Sequence, residues 1–138
     1  MQVFPNATPA QGDVAGLPRV LVVDDDAAIR KMLVDVLSLE GFSAETARDG
    51  REALALLEAS NYQVVLLDLM MPIMDGWELC RTLRERPTLR AQFSVVLMSA
   101  GEKLEQAQDL GADGYLAKPF DVNQLLELLE PFVSEVRA

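Results

Sequence analysis

Three short unbroken apolar runs stand out along the chain: Val20-Leu21-Val22-Val23, Val64-Val65-Leu66-Leu67 and Val95-Val96-Leu97-Met98. A strand covered on both faces has no polar side to show, so these runs predict interior strands of a parallel sheet. Two weaker stretches complete the set. Phe42-Ser43-Ala44-Glu45-Thr46 alternates, and Tyr115-Leu116-Ala117 is short and ends at Lys118-Pro119. Both are expected at sheet edges, where a strand can face water and tolerate proline.

Between the strands the apolar spacing becomes helical. Ile29, Met32, Leu33, Val36 and Leu37 recur on one helical face, and Gly41 stops that helix. Ala53, Leu54 and Leu57 repeat the pattern in residues 51–59, and Leu79, Cys80 and Leu83 repeat it in residues 76–86, where Pro87 ends the helix. A short fourth helix is expected over residues 102–110. The last helix carries Val122, Leu125, Leu126, Leu129, Phe132, Val133 and Val136, opened by Asp121 with Gln124 three residues on, a capping-box spacing. Pro131 is expected to kink or shorten it. Strands alternating with helices make an α/β chain of (βα)5 form, which right-handed crossovers wind into a three-layer sandwich with helices on both faces of the sheet. Residues 1–18 hold three prolines and two glycines and little apolar periodicity. They are expected to be a disordered tail or a vector-derived remnant. One domain is left, residues 19–138.

Composition narrows the function classes. The chain has 138 residues, half of them apolar, which suits one domain with a real core. A net charge of −10 repels nucleic acid and acidic membrane surfaces, so neither is expected as a partner. No signal peptide or apolar run of spanning length is visible, which makes the cytoplasm the expected location. Cys80 is the only cysteine and histidine is absent. Internal disulfides, His-ligated zinc and Ser-His or Cys-His catalysis are therefore excluded. Cys80 is expected to be a small apolar helix residue. Chemistry is left to carboxylates, hydroxyls and lysines.

Those groups fall in a pattern. Asp24, Asp25 and Asp26 follow the first strand, Asp68 the third, Ser99 the fourth and Lys118 the fifth. Each stands at a strand's carboxyl end, where open parallel sheets bind their ligands. Carboxylates converging there repel one another unless a hard, oxygen-preferring cation neutralises them, so a Mg²⁺ or Mn²⁺ site is expected. Plainer roles are assigned to the neighbours. Asp26 fits a helix cap, Asp75 with Glu78 fits a capping box, Pro72 and Gly76 shape a loop, and Trp77 and the methionines fit packing.

The segments VLVVDDD at 20–26, VVLLDLMMPIMDG at 64–76, LMSA at 97–100 and GADGYLAKPF at 111–120 together resemble the receiver domains of two-component response regulators. The resemblance covers residues 19–132 and is closest in kind to the stand-alone chemotaxis receivers. It implies the flavodoxin-like strand order 2-1-3-4-5 and a cis Lys118-Pro119 peptide. It implies that Asp68 is the phosphoacceptor, that Asp25 binds the metal directly and Asp24 largely through water, and that the Met70 backbone carbonyl completes the protein's share of the shell. Lys118 and the Ser99 hydroxyl would each take a phosphoryl oxygen. Tyr115 would be the aromatic that turns inward when Ser99 moves. Phosphoryl transfer needs positioning and charge neutralisation above all, which these groups can supply.

The function implied is a phosphorelay switch, loaded from the phosphohistidine of a sensor histidine kinase or histidine phosphotransfer protein and acting on an unidentified protein target. Such a chain is not an enzyme with an independent substrate; it catalyses only its own phosphorylation and dephosphorylation. A non-phosphorylated module of the same fold would be expected to lack an acid, the hydroxyl or the lysine. A haloacid-dehalogenase-like hydrolase would carry a second acid two residues after the nucleophile, where Met70 stands. No output domain follows the last helix, so a stand-alone receiver or a piece of a larger protein is expected. Ser99 and Lys118 are 19 positions apart, about one helical turn less than receivers usually have. That implies a shortened fourth helix, with only Leu104, Ala107 and Leu110 as its apolar face, and favours a monomer or an interface elsewhere.

Overall fold

A computed structural model describes residues 16–100 and 108–137. The apolar runs form strands. β1 (Arg19–Val23), β2 (Ser43–Ala47), β3 (Val64–Asp68), β4 (Ser94–Ala100) and β5 (Gly114–Lys118) pair in parallel in the order β2-β1-β3-β4-β5. The chain reverses direction across the sheet between β1 and β3, where Val20 to Val23 pair with Val64 to Leu67. The order is the one the family resemblance implied.

α1 (Ala27–Leu39), α2 (Gly50–Ala59), α3 (Gly76–Arg84), α4 (Pro87–Arg90) and α5 (Val122–Arg137) accompany the sheet. Alternation along β1 divides its side chains between two cores. Val20 and Val22 join Leu33 and Leu37 of α1 and Leu125 and Leu129 of α5, whereas Leu21 and Val23 join Ala53 and Leu57 of α2 and Leu79 and Leu83 of α3. All four β1 valines and leucines are 0% exposed, which explains their unbroken apolar sequence. Each buried aliphatic side chain contributes roughly 1.5–3 kcal/mol. Cys80 belongs to the second of these cores, as an apolar residue would. At the amino end of β1 the buried Arg19 pairs with Glu45 and stacks 4.5 Å from the Tyr62 ring centroid.

Three helical expectations need correction. Met32 is 43% exposed. It lies about 100° around the helix from Leu33, and the Leu33–Leu37 ridge alone meets the sheet squarely. Pro87 does more than end α3. It is the first residue of α4, where its fixed φ and missing N–H suit a helix start. The four-residue α4 was not anticipated. Its Arg90 donates to Phe93 O, Gly111 O and Asp113 Oδ2, each at 2.9 Å, and so joins the connection before β4 to the entry of β5. Pro131 does not shorten α5, which runs for 16 residues. Pro131 has no N–H to donate to the Glu127 carbonyl, and both residues are exposed, so water can reach that group. The expected Asp121–Gln124 capping box forms in both directions, at 2.9 and 2.8 Å. Most of the fourth helix expected over 102–110, and with it the proposed shortening, lies outside the described residues. Gln108 and Asp109 are helical, and Gly111 follows at φ 78° with its N–H on Gln108 O.

The two faces of α1 provide a test of this packing. Leu33→Ala should lower stability by about 2–5 kcal/mol in urea titration, whereas Met32→Ala should cost about 0.5 kcal/mol or less.

Candidate functional site

The acidic triplet after β1 divides by burial. Asp24 is 0% exposed and its N–H continues the sheet ladder to Ala47 O at 3.1 Å. Asp25 is exposed. Asp26 caps α1, its Oδ1 accepting from Ala28 N at 2.9 Å and Ile29 N at 3.2 Å, as its plainer assignment anticipated. Asp24 Oδ1 accepts from Asp26 N at 2.9 Å, which fixes the buried carboxylate against the helix start. Arg30, overlooked in the sequence, donates from Nη1 to Asp24 O at 2.8 Å. Its place one turn into α1 was the available signal.

Asp68 is the last residue of β3 and 6% exposed, with Met70 N–H on its Oδ1 at 3.2 Å. Ligand oxygens of Asp24, Asp25 and Asp68 lie within 4.8 Å of one another. Lys118 ends β5 and reaches in from 94 residues away along the chain, with Nζ 3.0 Å from Asp24 Oδ2 and 3.4 Å from Asp68 Oδ2. The peptide bond that follows it, to Pro119, is cis. Ser99 is buried on β4, and its backbone oxygen accepts from the Tyr115 hydroxyl at 3.1 Å. The sequence-expected residues thus converge on one end of the sheet. Met70 departs from the packing role given to methionines, because its side chain is 61% exposed beside the cluster.

The electrostatics follow from the crowding. Burial raises the Asp68 pKa and the Asp24 charge raises it further; the Lys118 charge and the Met70 N–H pull the other way without cancelling this. Burial alone would lower the Lys118 pKa. The hydrogen bond to Asp24 and the charges of Asp68 and Asp24 outweigh it, so Lys118 is raised and holds its proton. Three carboxylates against one lysine leave an excess of negative charge, and the donors are all hard oxygens. This arrangement fits a hard divalent cation such as Mg²⁺ or Mn²⁺.

A strand-end acid cluster of this kind, on a sheet of this order, marks a receiver, and residues 20–130 match the response regulator receiver domain family. The chain belongs to that family. Among curated proteins it is 43% identical over 111 residues to the response regulator MprA of Mycolicibacterium vanbaalenii, an alignment covering 78% of this chain and 47% of that protein. The chain therefore spans about half the length of the curated relatives it matches. Among solved structures it resembles the chemotaxis response regulator CheY4 of Vibrio cholerae, with a TM-score of 0.76 and 34% identity over 84% of this chain and 98% of that one. It also resembles the response regulator TrrA of Thermotoga maritima, solved with Mg²⁺-BeF, with a TM-score of 0.76 and 31% identity over 84% of this chain and 99% of that one. Among the described residues no helix is long and apolar enough to cross a membrane.

The raised Asp68 pKa predicts a stability effect. The folded chain binds that proton more tightly than the unfolded chain does, so Asp68's contribution is fully present in acid and is lost as pH rises through its raised pKa. In metal-free buffer near neutral pH, Asp68→Asn should therefore melt at a higher temperature than the wild type. The difference should vanish in acid. A variant no more stable than the wild type near neutrality would show that Lys118 fully compensates the buried charge.

Proposed function

We propose that this domain is a phosphorelay switch that takes a phosphoryl group on Asp68. The observation that carries it is the meeting of Asp24, Asp25 and Asp68 within 4.8 Å, with Lys118 bridging two of them. In this account an Asp68 oxygen attacks the phosphorus of a partner's phosphohistidine and the phosphorus–nitrogen bond breaks. Lys118 Nζ pairs with one phosphoryl oxygen, and the Ser99 hydroxyl donates to another. Asp24, Asp25, Asp68 and the Met70 carbonyl would hold Mg²⁺, which when bound neutralises the carboxylates and the incoming phosphoryl charge. Tyr115, already tied to the Ser99 backbone, carries the change to the surface. The donor is a sensor histidine kinase or a histidine phosphotransfer protein in the cytoplasm, and the output is a protein target. The domain catalyses only its own loading and unloading.

Support comes from family membership, from the hard-oxygen donor set and from the likeness to TrrA solved with Mg²⁺-BeF. Incubation with acetyl phosphate and Mg²⁺ should raise the intact mass by one phosphoryl group, and Asp68→Asn should abolish the rise. A persistent mass increase in that variant would place the nucleophile elsewhere. Asp25→Asn should weaken Mg²⁺ binding by at least about tenfold, equivalent to about 1.4 kcal/mol, whereas Asp26→Asn, a change from one good cap to another, should change it little. Equal losses in a calorimetric titration would reverse the division of the triplet.

A further inference from the structure

The loop from Asp68 to Gly76 is shaped by unusually close backbone contacts. Met74 N–H donates to Pro72 O at 2.8 Å around Ile73, whose φ is 68°. A hydrogen bond closing over one residue at positive φ is the strained form of the γ-turn. The residue at its centre is β-branched, the kind least suited to that region. Strain of this sort persists only where the surroundings impose it.

The imposing contact comes from α2. Gly50, its first residue, donates its N–H to Met74 O at 2.7 Å. That donor has no partner within its own helix, so the loop carbonyl satisfies a helix end as well. A Cβ on Gly50 would lie 2.7 Å from Met74 O and 2.8 Å from Met74 Cγ. The first of these atoms is backbone and cannot swing aside. Asp49 meanwhile caps α2 through Glu52 N at 2.9 Å, so the helix end is fixed independently of the loop. At the far side of the loop a Cβ on Gly76 would lie 2.6 Å from Asp68 O, while Gly76 N–H donates to Leu69 O at 3.1 Å. The loop is thus pressed between α2 and the backbone of Asp68. Its first residues place the Met70 amide on the Asp68 carboxylate.

We infer that Gly50 is a positioning residue for the Asp68 site: as the clasp between α2 and the strained turn at Ile73, it sets where Met70 presents its amide and carbonyl. This rests on the function proposed above. Gly50 is not among the residues proposed to hold the metal or the phosphoryl group. It acts through Met74, and only a residue without a side chain can do so.

The test is the Mg²⁺ dependence of acetyl phosphate labelling of the full chain. Gly50→Ala should raise the Mg²⁺ concentration for half-maximal rate by about tenfold, the scale on which supporting partners act on metal affinity, and leave the rate at saturating Mg²⁺ nearly unchanged. Ala59→Gly, at the exposed far end of α2, weakens the helix without touching the loop and should leave half-saturation where it is. An unchanged half-saturation in Gly50→Ala, or an equal shift in Ala59→Gly, overturns the inference. Ile73→Gly relaxes the turn and should raise the melting temperature while keeping Mg²⁺ affinity. A lower melting temperature there means no strain is being held, and overturns the inference even if Gly50→Ala does not fold. A wild type that shows no Mg²⁺-dependent labelling defeats the proposed function itself, an outcome distinct from either.

Discussion

Mutual repulsion among Asp24, Asp25 and Asp68 is the constraint that the rest of the structure has to overcome. At the separations seen here, up to 4.8 Å, a pair of like charges costs about 3–4 kcal/mol at an effective dielectric constant of about 20. On flexible loops the three would move apart. Parallel pairing prevents that, because Val23 faces Leu67 in the register of β1 and β3 and the next residues are Asp24 and Asp68. Two acids are thereby held about one strand spacing apart, roughly 4.8 Å. The apolar residues of these strands are fully buried. Each contributes roughly 1.5–3 kcal/mol, so their combined burial exceeds the repulsion. The sheet keeps together charges that its own ends would separate.

Lys118 relieves part of this repulsion and links the cluster to the rest of the sheet. It comes from β5, two strands away from β3, so the carboxylates sense the position of an edge strand directly. Between them lies β4, where Ser99 supplies a buried hydroxyl and a backbone oxygen that holds Tyr115. On the other side of Asp68 the Met70–Asp75 loop leans on α2 through the Gly50 contact. Asp68 therefore has mechanical neighbours in both directions, and a change in its charge alters the balance against each.

What could be read from the sequence tracks how local its cause is. The runs at Val20, Val64 and Val95 were legible because burial on both faces leaves no polar position in the strand. Asp26 was legible as a cap because its partners are two and three residues away. Strand order has no such local cause and came through the family resemblance. The helix Pro87–Arg90 was missed because four residues give no periodicity, and its proline read as a terminator when it was a start. Met32 was placed on the buried face of α1 because the spacing alone cannot tell the centre of an apolar stripe from its margin. The close approaches at Gly50 and Gly76 were illegible for a different reason, although Gly76 was legible as a loop-shaping residue. Both depend on backbone from another part of the chain coming within 3 Å of where a Cβ would stand, and no pattern of side chains records that. Sequence alone placed Lys118 at a strand end, but not its bridge across Asp24 and Asp68.

The single thiol of the chain has a use that its burial creates. Cys80 lies on the inner face of α3, 6% exposed, and burial pushes its pKa up to about 11. In the folded chain it is both shielded and almost wholly protonated near neutral pH, and only the thiolate reacts readily with alkylating reagents. Its labelling rate is therefore a clock for the opening of α3 away from the sheet. The helix that begins at Gly76, against the backbone of Asp68, thus carries a natural chemical probe, and its loosening or tightening can be followed by mass alone, without attaching a dye or changing a residue.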